Sequence, residues 1–365
     1  MRMSRREMLK AMGAGILLPE LLAGTENVWG QGRSSKRALA LTIGLNSVDP
    51  DAYGNWSGDL AGCVADARTY AGIAKRGGFE VRSLETSEAK IGTVAQHILW
   101  ASQLVSPEGI FLVAYAGHGS QATDTNGDET DGKDDTWCLF DGQLVDDELY
   151  RFWSYFPAGA RILVVSDSCH SGTVARVLDE ARTVARDLEQ PKSELTRAVR
   201  EAFVKDFKRV SNQVRSRARE FEGTRAREIR KPRAAGQQKD VLPLFRVMPE
   251  EYRADAFKKQ RRAMESRRSQ PVGGGQNTAV NAIGLLLAGC QEHQLSMETG
   301  GHGLFTAVLE RALQKGPQSY HQLLTTAAKA MPSNQQPNFF VFGGDDPQFS
   351  EAHRRFQESQ KPFSV

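Results

Sequence analysis

Short apolar runs alternate along this chain with segments whose apolar residues recur every three or four positions. "RALALTIGLN" (Arg37–Asn46), "FEVRSLE" (Phe79–Glu85), "GIFLVAYAGHGS" (Gly109–Ser120) and the apolar start of "ILVVSDSCHSG" (Ile162–Gly172) read as strands. The third is apolar almost throughout, the pattern of a strand covered on both faces of a parallel sheet. Between them, "GDLAGCVADARTYAGIAKRGG", "TVAQHILWASQLV" and "DDELYRFWSYF" carry helical spacing, and the first stops at Gly77-Gly78. Strands alternating with helices predict the α/β class: a mostly parallel central sheet flanked by helices.

That pattern lapses after about Val174 and returns with "NAIGLLLAGCQEHQ" (Asn281–Gln294), followed by a helical "LFTAVLERALQK" and an apolar "NFFVFGG". The predicted organisation is therefore an N-terminal segment (1–32), a first half of the sheet (33–175), an insert (176–275), a second half completing the sheet (276–348) and a tail (349–365). Charge sharpens the division. The whole chain of 365 residues carries a net charge of only +3, yet Arg176–Gln270 holds 26 Lys+Arg against 15 Asp+Glu. An acidic body thus carries a basic insert, which reads as solvated helices or linker. Few aromatic residues interleave with its charges, which argues against stacking on nucleic-acid bases.

At the N-terminus, "MSRREMLKAMGAGILLPELLAG" places Arg5 and Arg6 before a short apolar stretch, as twin-arginine export signals do. Pro19 and Glu20 interrupt the stretch, which is short for a membrane span. Export to the periplasm or exterior is expected, with the segment either cleaved or kept as a tether. The four cysteines lie far apart without a CxxC pair, which argues against a disulfide framework or a zinc site.

Catalytic groups in open α/β sheets sit at the carboxyl ends of strands. Two candidate strands end in reactive side chains, His118 in "YAGHGS" and Cys169 in "DSCHSG". If the strands are neighbours, an imidazole faces a thiol, the usual way to activate a sulfur nucleophile. His170 is the competing base, but as the next residue in the chain it points away from its neighbour.

The set "YAGHGSQ…DTNGDETDGKDD…LVDDELY…DSCHSGT" resembles the catalytic half of the metacaspases, caspase-like cysteine peptidases. "AGCQEHQLSME…GHGLFTAVLERAL" is similar to their smaller half, and the spacing of 51 residues between His118 and Cys169 suits caspase-type enzymes. The resemblance implies a caspase-like fold, with Cys169 as nucleophile, His118 as general base, and the backbone amides of Gly119 and Cys169 as oxyanion hole. It also implies an acidic pocket selecting Arg or Lys in the residue before the cut, formed by Asp66 in "LAGCVADA" and by Asp167. Two carboxylates would grip a guanidinium and repel an acidic side chain. An enzyme of that specificity finds many cleavable bonds in its own insert, so self-processing there is expected.

"DTNGDETDGKDD" fits an EF-hand poorly: Asp124, Asn126, Asp128 and Asp135 match, but Glu129 stands where the turn glycine belongs. The resemblance points instead to a calcium site at Asp134, Asp146 and Asp147, whose fourth ligand position is taken by Arg176. Calcium is the only cofactor expected, either weakly held or absent, in which case Arg176 neutralises the carboxylates and activity is calcium-independent. Polypeptides with basic residues are the expected substrates of a monomeric enzyme. The rival readings are a catalytically silent caspase-fold binding module and a gingipain- or legumain-like peptidase of other specificity. Cys63 is expected on the inner face of its helix, Trp137 over a hydrophobic edge, and His302 is left without a role.

Overall fold

In the computed structural model, residues 37–124, 127, 132–169, 245–268, 279–291, 294–299, 301–344 and 350–365 are described. The expected export segment, His170, Arg176, Asn126, Asp128, Glu129 and the insert up to residue 244 lie outside them. Strand β1 (Ala38–Gly44) leads through α1 (Cys63–Arg76) to β2 (Glu80–Glu85), and α2 (Ile91–Leu104) leads to β3 (Ile110–Ala116). A small group, β4 (Gly119–Thr123), β5 (Lys133–Leu139) and β6 (Gly142–Val145), precedes α3 (Asp146–Trp153) and β7 (Arg161–Asp167). Then come α4 (Glu250–Arg268), β8 (Ile283–Ala288), β9 (Glu298–Thr299), β10 (His302–Gly303), α5 (Leu304–Gln314), α6 (Tyr320–Ala328), β11 (Asn338–Phe342) and α7 (Ser350–Glu358).

Six strands form the central sheet in the order β11-β8-β7-β3-β1-β2. The five from β8 to β2 run parallel, and β11 pairs antiparallel with β8 at the edge. Every residue of β3 is buried, as its unbroken apolar run requires. Alternation along the strand feeds two cores. Leu112 and Ala114 join Tyr70 of α1, Val308 of α5 and Leu323 of α6, whereas Phe111 and Val113 join Val94 and Ile98 of α2 and Phe152 of α3. Among the described residues no helix is long and apolar enough to cross a membrane.

Three differences from the sequence pattern have physical causes. "GIFLVAYAGHGS" is not one strand: β3 stops at Ala116 and Gly119 opens β4 in a separate three-stranded sheet. Tyr115 Oη fixes the corner, its single proton shared between the carbonyls of His118 (2.7 Å) and Cys138 (3.0 Å). A side chain on Gly117 would stand 2.5 Å from that hydroxyl, so the corner requires glycine. The stretch 245–268, assigned to the solvated insert, is packed on the body, because Phe245, Val247, Met248, Ala256 and Met264 are all buried. The expected tail is likewise structured, with Phe356 and Phe363 packed edge-on against Tyr320.

Candidate active site

The β3–β7 register sets Ala116 opposite Asp167, so His118 and Cys169 each follow two residues beyond the same rung. The two candidate groups therefore meet at one edge of the sheet, as adjacent strand ends dictate. What lies between them is a segment of the same chain. The Arg246 carbonyl accepts hydrogen bonds from the backbone amides of Gly119 (3.0 Å) and Cys169 (2.9 Å). On one side, Arg246 N–H donates to the Ser296 carbonyl (2.9 Å) and Phe245 bridges antiparallel to Met297. On the other, Val247 bridges parallel to Gly119, and Met248 N–H donates to the Gly119 carbonyl (2.8 Å).

The Arg246 side chain is completely buried and sits among three carboxylates. Its guanidinium pairs with Asp66, with Asp167 at 3.2 Å and with Glu298 at 3.2 Å. Each acid is held by further donors. Asp66 accepts from the Gly303 amide (2.8 Å) and is bonded by His302 Nδ1 (2.8 Å). Asp167 accepts from the Ser296 hydroxyl (2.5 Å), the Thr306 amide (3.1 Å) and the Thr306 hydroxyl (2.7 Å). Glu298 accepts from the amides of Ala61 and Gly62, both at 3.0 Å, and from the Cys63 thiol. Gly303 admits this crowding, since a Cβ there would stand 2.2 Å from Asp167 Oδ2 and 2.6 Å from the guanidinium.

Burial opposes charge on Arg246, yet the surrounding acids hold its pKa well above the ordinary value. Burial raises the Asp66 pKa, while Arg246 and His302 pull it back. His302 is itself shifted up by its bond to Asp66.

His118 lies under the Trp56 ring, with centroids 4.6 Å apart, and its Nε2 is 3.1 Å from the Gly58 carbonyl. A carbonyl only accepts, so Nε2 carries the proton and Nδ1 keeps a lone pair. Burial pushes the ring pKa down to about 3, with the Gly58 and Val247 backbone acting the other way. The Cys169 sulfur accepts from Ser296 N–H and lies 3.7 Å from the Cys290 sulfur. Burial, with Cys290 adding to it, raises the Cys169 thiol well above its usual range. Among the described residues no hydrogen bond joins His118 to Cys169; the Cys169 amide and the amide of Gly119, next in the chain after His118, both reach the Arg246 carbonyl.

Carboxylate oxygens of Asp134, Asp146 and Asp147 lie within 4.8 Å of one another, and Asp146 lines the same cavity as Ser168 and Cys290. Burial, with neighbouring Asp135 and Asp134, pushes Asp146 up to about 8. Trp137 is buried rather than at an edge, stacked on Tyr115 at 4.6 Å with its ring N–H on the Ser166 hydroxyl.

A caspase-domain profile matches residues 37–360, nearly the whole of the chain. The chain belongs to the caspase-domain family. Within that family it is 32% identical over 170 residues to Metacaspase-1 of Mycosarcoma maydis, covering 42% of this chain and 40% of that protein. It is also 32% identical over 137 residues to Metacaspase-3 of Arabidopsis thaliana, covering 33% of this chain and 38% of that one. The chain thus spans well under half the length of these curated relatives. A crystal structure of protein GSU0716 from Geobacter sulfurreducens superposes with a TM-score of 0.64 and 34% identity, covering 90% of this chain and 99% of that one.

Sequence reasoning had named Asp66, Asp167, His118, Gly119 and Cys169, and the caspase-type fold gathers all five. It had missed Arg246, Glu298, Ser296 and the bond from His302 to Asp66. Arg246 did leave a trace: "PLFRVMP" is an apolar island in an otherwise polar insert. Glu298 left none, because nothing local distinguishes it from a surface acid.

Proposed function

We propose that this caspase-domain protein is a cysteine endopeptidase that cuts after Arg or Lys, and that Arg246–Val247 is its own first substrate bond. One observation carries the reading: a buried arginine whose side chain is held by Asp66, Asp167 and Glu298 while its carbonyl takes the Gly119 and Cys169 amides. An oxyanion hole is such a pair of fixed donors on a carbonyl about to become tetrahedral. In the proposed reaction, rotation about the Cys169 Cα–Cβ bond turns the sulfur to the Arg246 carbonyl carbon. His118 Nδ1 takes the thiol proton during attack and passes it to the departing Val247 amine. Water then releases the Arg246 carboxylate from the thioester by the same route. Until that happens the chain blocks its own pocket.

Afterwards α4 keeps the new Val247 end docked. Gln260 accepts from the Gln143 amide (3.0 Å) and donates to the Ala52 carbonyl (2.9 Å), and Tyr252 stacks on Trp56. The specificity is tested with peptide reporters ending in Arg, Lys or Asp. Turnover of the Arg and Lys peptides alone is expected, and turnover of the Asp peptide alone would refute the assignment.

We also propose that Asp134, Asp146 and Asp147 hold a calcium ion. Three oxygen donors crowded in a buried place suit a hard divalent cation, which would relieve their mutual repulsion. Bound there, calcium supplies charge neutralisation that steadies β5 and the start of α3, not a chemical step. Millimolar calcium is expected to raise the melting temperature of the wild type by a few degrees and leave Asp146→Asn/Asp147→Asn unmoved. Equal shifts in both proteins would remove the site. Export through the twin-arginine route is proposed on the N-terminal sequence alone, to be tested by cell fractionation with and without Arg5→Lys/Arg6→Lys.

A further inference from the structure

The Cys290 thiol is used by none of the steps above, yet it lies beside the sulfur that is. In the β7–β8 register Ser166 faces Ala288, which brings Cys290 level with Ser168, next to Cys169. The two sulfurs are 3.7 Å apart, and the Cys290 thiol also lies 3.5 Å from the Ser168 carbonyl. Both cysteines are free, and a disulfide would need the sulfurs to close to about 2.05 Å by side-chain rotation. Among the described residues the adjacency is open on one side: Cys290 and Ser168 line a cavity of about 350 Å³, which also touches Trp137, Tyr150 and Phe342, so a small oxidant reaches Cys290, and through it the neighbouring sulfur, without passing the Arg246 segment.

We infer that Cys290 is a resolving thiol for Cys169, making the pair a site of reversible oxidation by peroxides. One cysteine sulfur attacks an oxygen of hydrogen peroxide, the O–O bond breaks, and a sulfenic acid and one water form. The second thiol attacks that sulfenic sulfur, the S–O bond breaks, and a second water leaves with the disulfide. Two thiols thus give two electrons and two protons to one peroxide, yielding a disulfide and two waters. The bond ties up the sulfur needed for attack. It also diverts Cys169 from the sulfinic and sulfonic acids that no thiol reductant restores.

The effect on activity rests on Cys169 being the nucleophile; the cross-link itself does not. If the chain is cut at Arg246–Val247, Cys169 and Cys290 fall on different fragments, and the disulfide rejoins them.

The experiment treats the full-length wild type, Cys290→Ala and Cys290→Ser with hydrogen peroxide, then with or without dithiothreitol. Wild-type turnover is expected to fall at least ~10-fold and to return with reductant, while both variants lose turnover irreversibly as Cys169 overoxidises. In parallel, a Cys169–Cys290 linked peptide is expected by mass in the oxidised wild type, and cut fragments should co-migrate on a gel without reductant and separate with it. If the wild type yields overoxidised Cys169 and no linked peptide, or if the variants recover with reductant as fully as the wild type, the inference falls. A failure of the nucleophile assignment is separately visible, because Cys169→Ala would then retain turnover while the wild type still formed the linked peptide.

Discussion

The Cys169→Ala variant is expected to remain one chain of 365 residues while the wild type separates into 1–246 and 247–365, the second beginning Val247-Met248-Pro249. The cut is expected to be intramolecular. Arg246 already occupies the pocket of its own chain, with its carbonyl on two amides and Val247 fixed along Gly119. Holding reactants in place replaces a collision by a first-order step. The fraction cut at a given time should therefore not change when the protein is diluted. Removal of a nucleophile from a comparable hydrolase costs on the order of 10^6-fold in kcat, enough to leave neither self-cleavage nor reporter turnover in Cys169→Ala. Terminal sequencing and intact mass read the site, and a dilution series reads the order. A wild-type cut elsewhere in the insert, with Arg246–Val247 intact, would refute the bond. Cutting in Cys169→Ala would refute the nucleophile.

Asp66→Asn should produce the second largest loss, and it should depend on substrate charge. Asp66 is wholly buried and meets the guanidinium that Arg246 presents, and on the proposed specificity it would meet a substrate arginine in the same place. Breaking one side of a buried ion pair costs about 3–5 kcal/mol, because the stranded charge keeps its desolvation penalty. At about 1.36 kcal/mol per factor of ten, that is roughly 10^2- to 10^4-fold in kcat/KM for an Arg reporter. A citrulline reporter has the same shape without the charge and should be nearly unaffected. Asp167 touches the same guanidinium but also anchors Thr306 and Ser296, whose amide reaches the Cys169 sulfur, so Asp167→Asn should lower kcat as well as raise KM. If Asp66→Asn leaves the preference for arginine over citrulline unchanged, Asp66 is not part of the pocket.

The strand ends carrying His118 and Cys169 were legible because a parallel sheet obeys local rules. An unbroken apolar run needs cover on both faces, and polar residues can follow only where the strand leaves the core. Asp66 and Asp167 were singled out only through the resemblance to metacaspases, since by local pattern Asp66 reads as a solvated helix residue and Asp167 as a turn-capping acid. The break after Ala116 was not legible, because Tyr115 reaches two carbonyls that only folding brings near it. The packed character of 245–268 was hidden by composition: Lys259 and Arg261 give α4 the look of a solvated helix, while Ala256 and Met264 supply its buried face and Met248 is buried just ahead of it.

The sequence by itself determined the α/β layering, the order of the strands along the chain, and the presence of a thiol and an imidazole at strand ends. Those features follow from periodicity and from residue chemistry, which act over a few neighbouring positions. Only the tertiary structure decided that Arg246 fills the acidic pocket, that Glu298 completes it, and that Cys290 stands against Cys169. Such contacts join residues 52 to 180 positions apart, and their energy comes from closing a core around charges that each need a partner. No local pattern encodes which distant partner that will be.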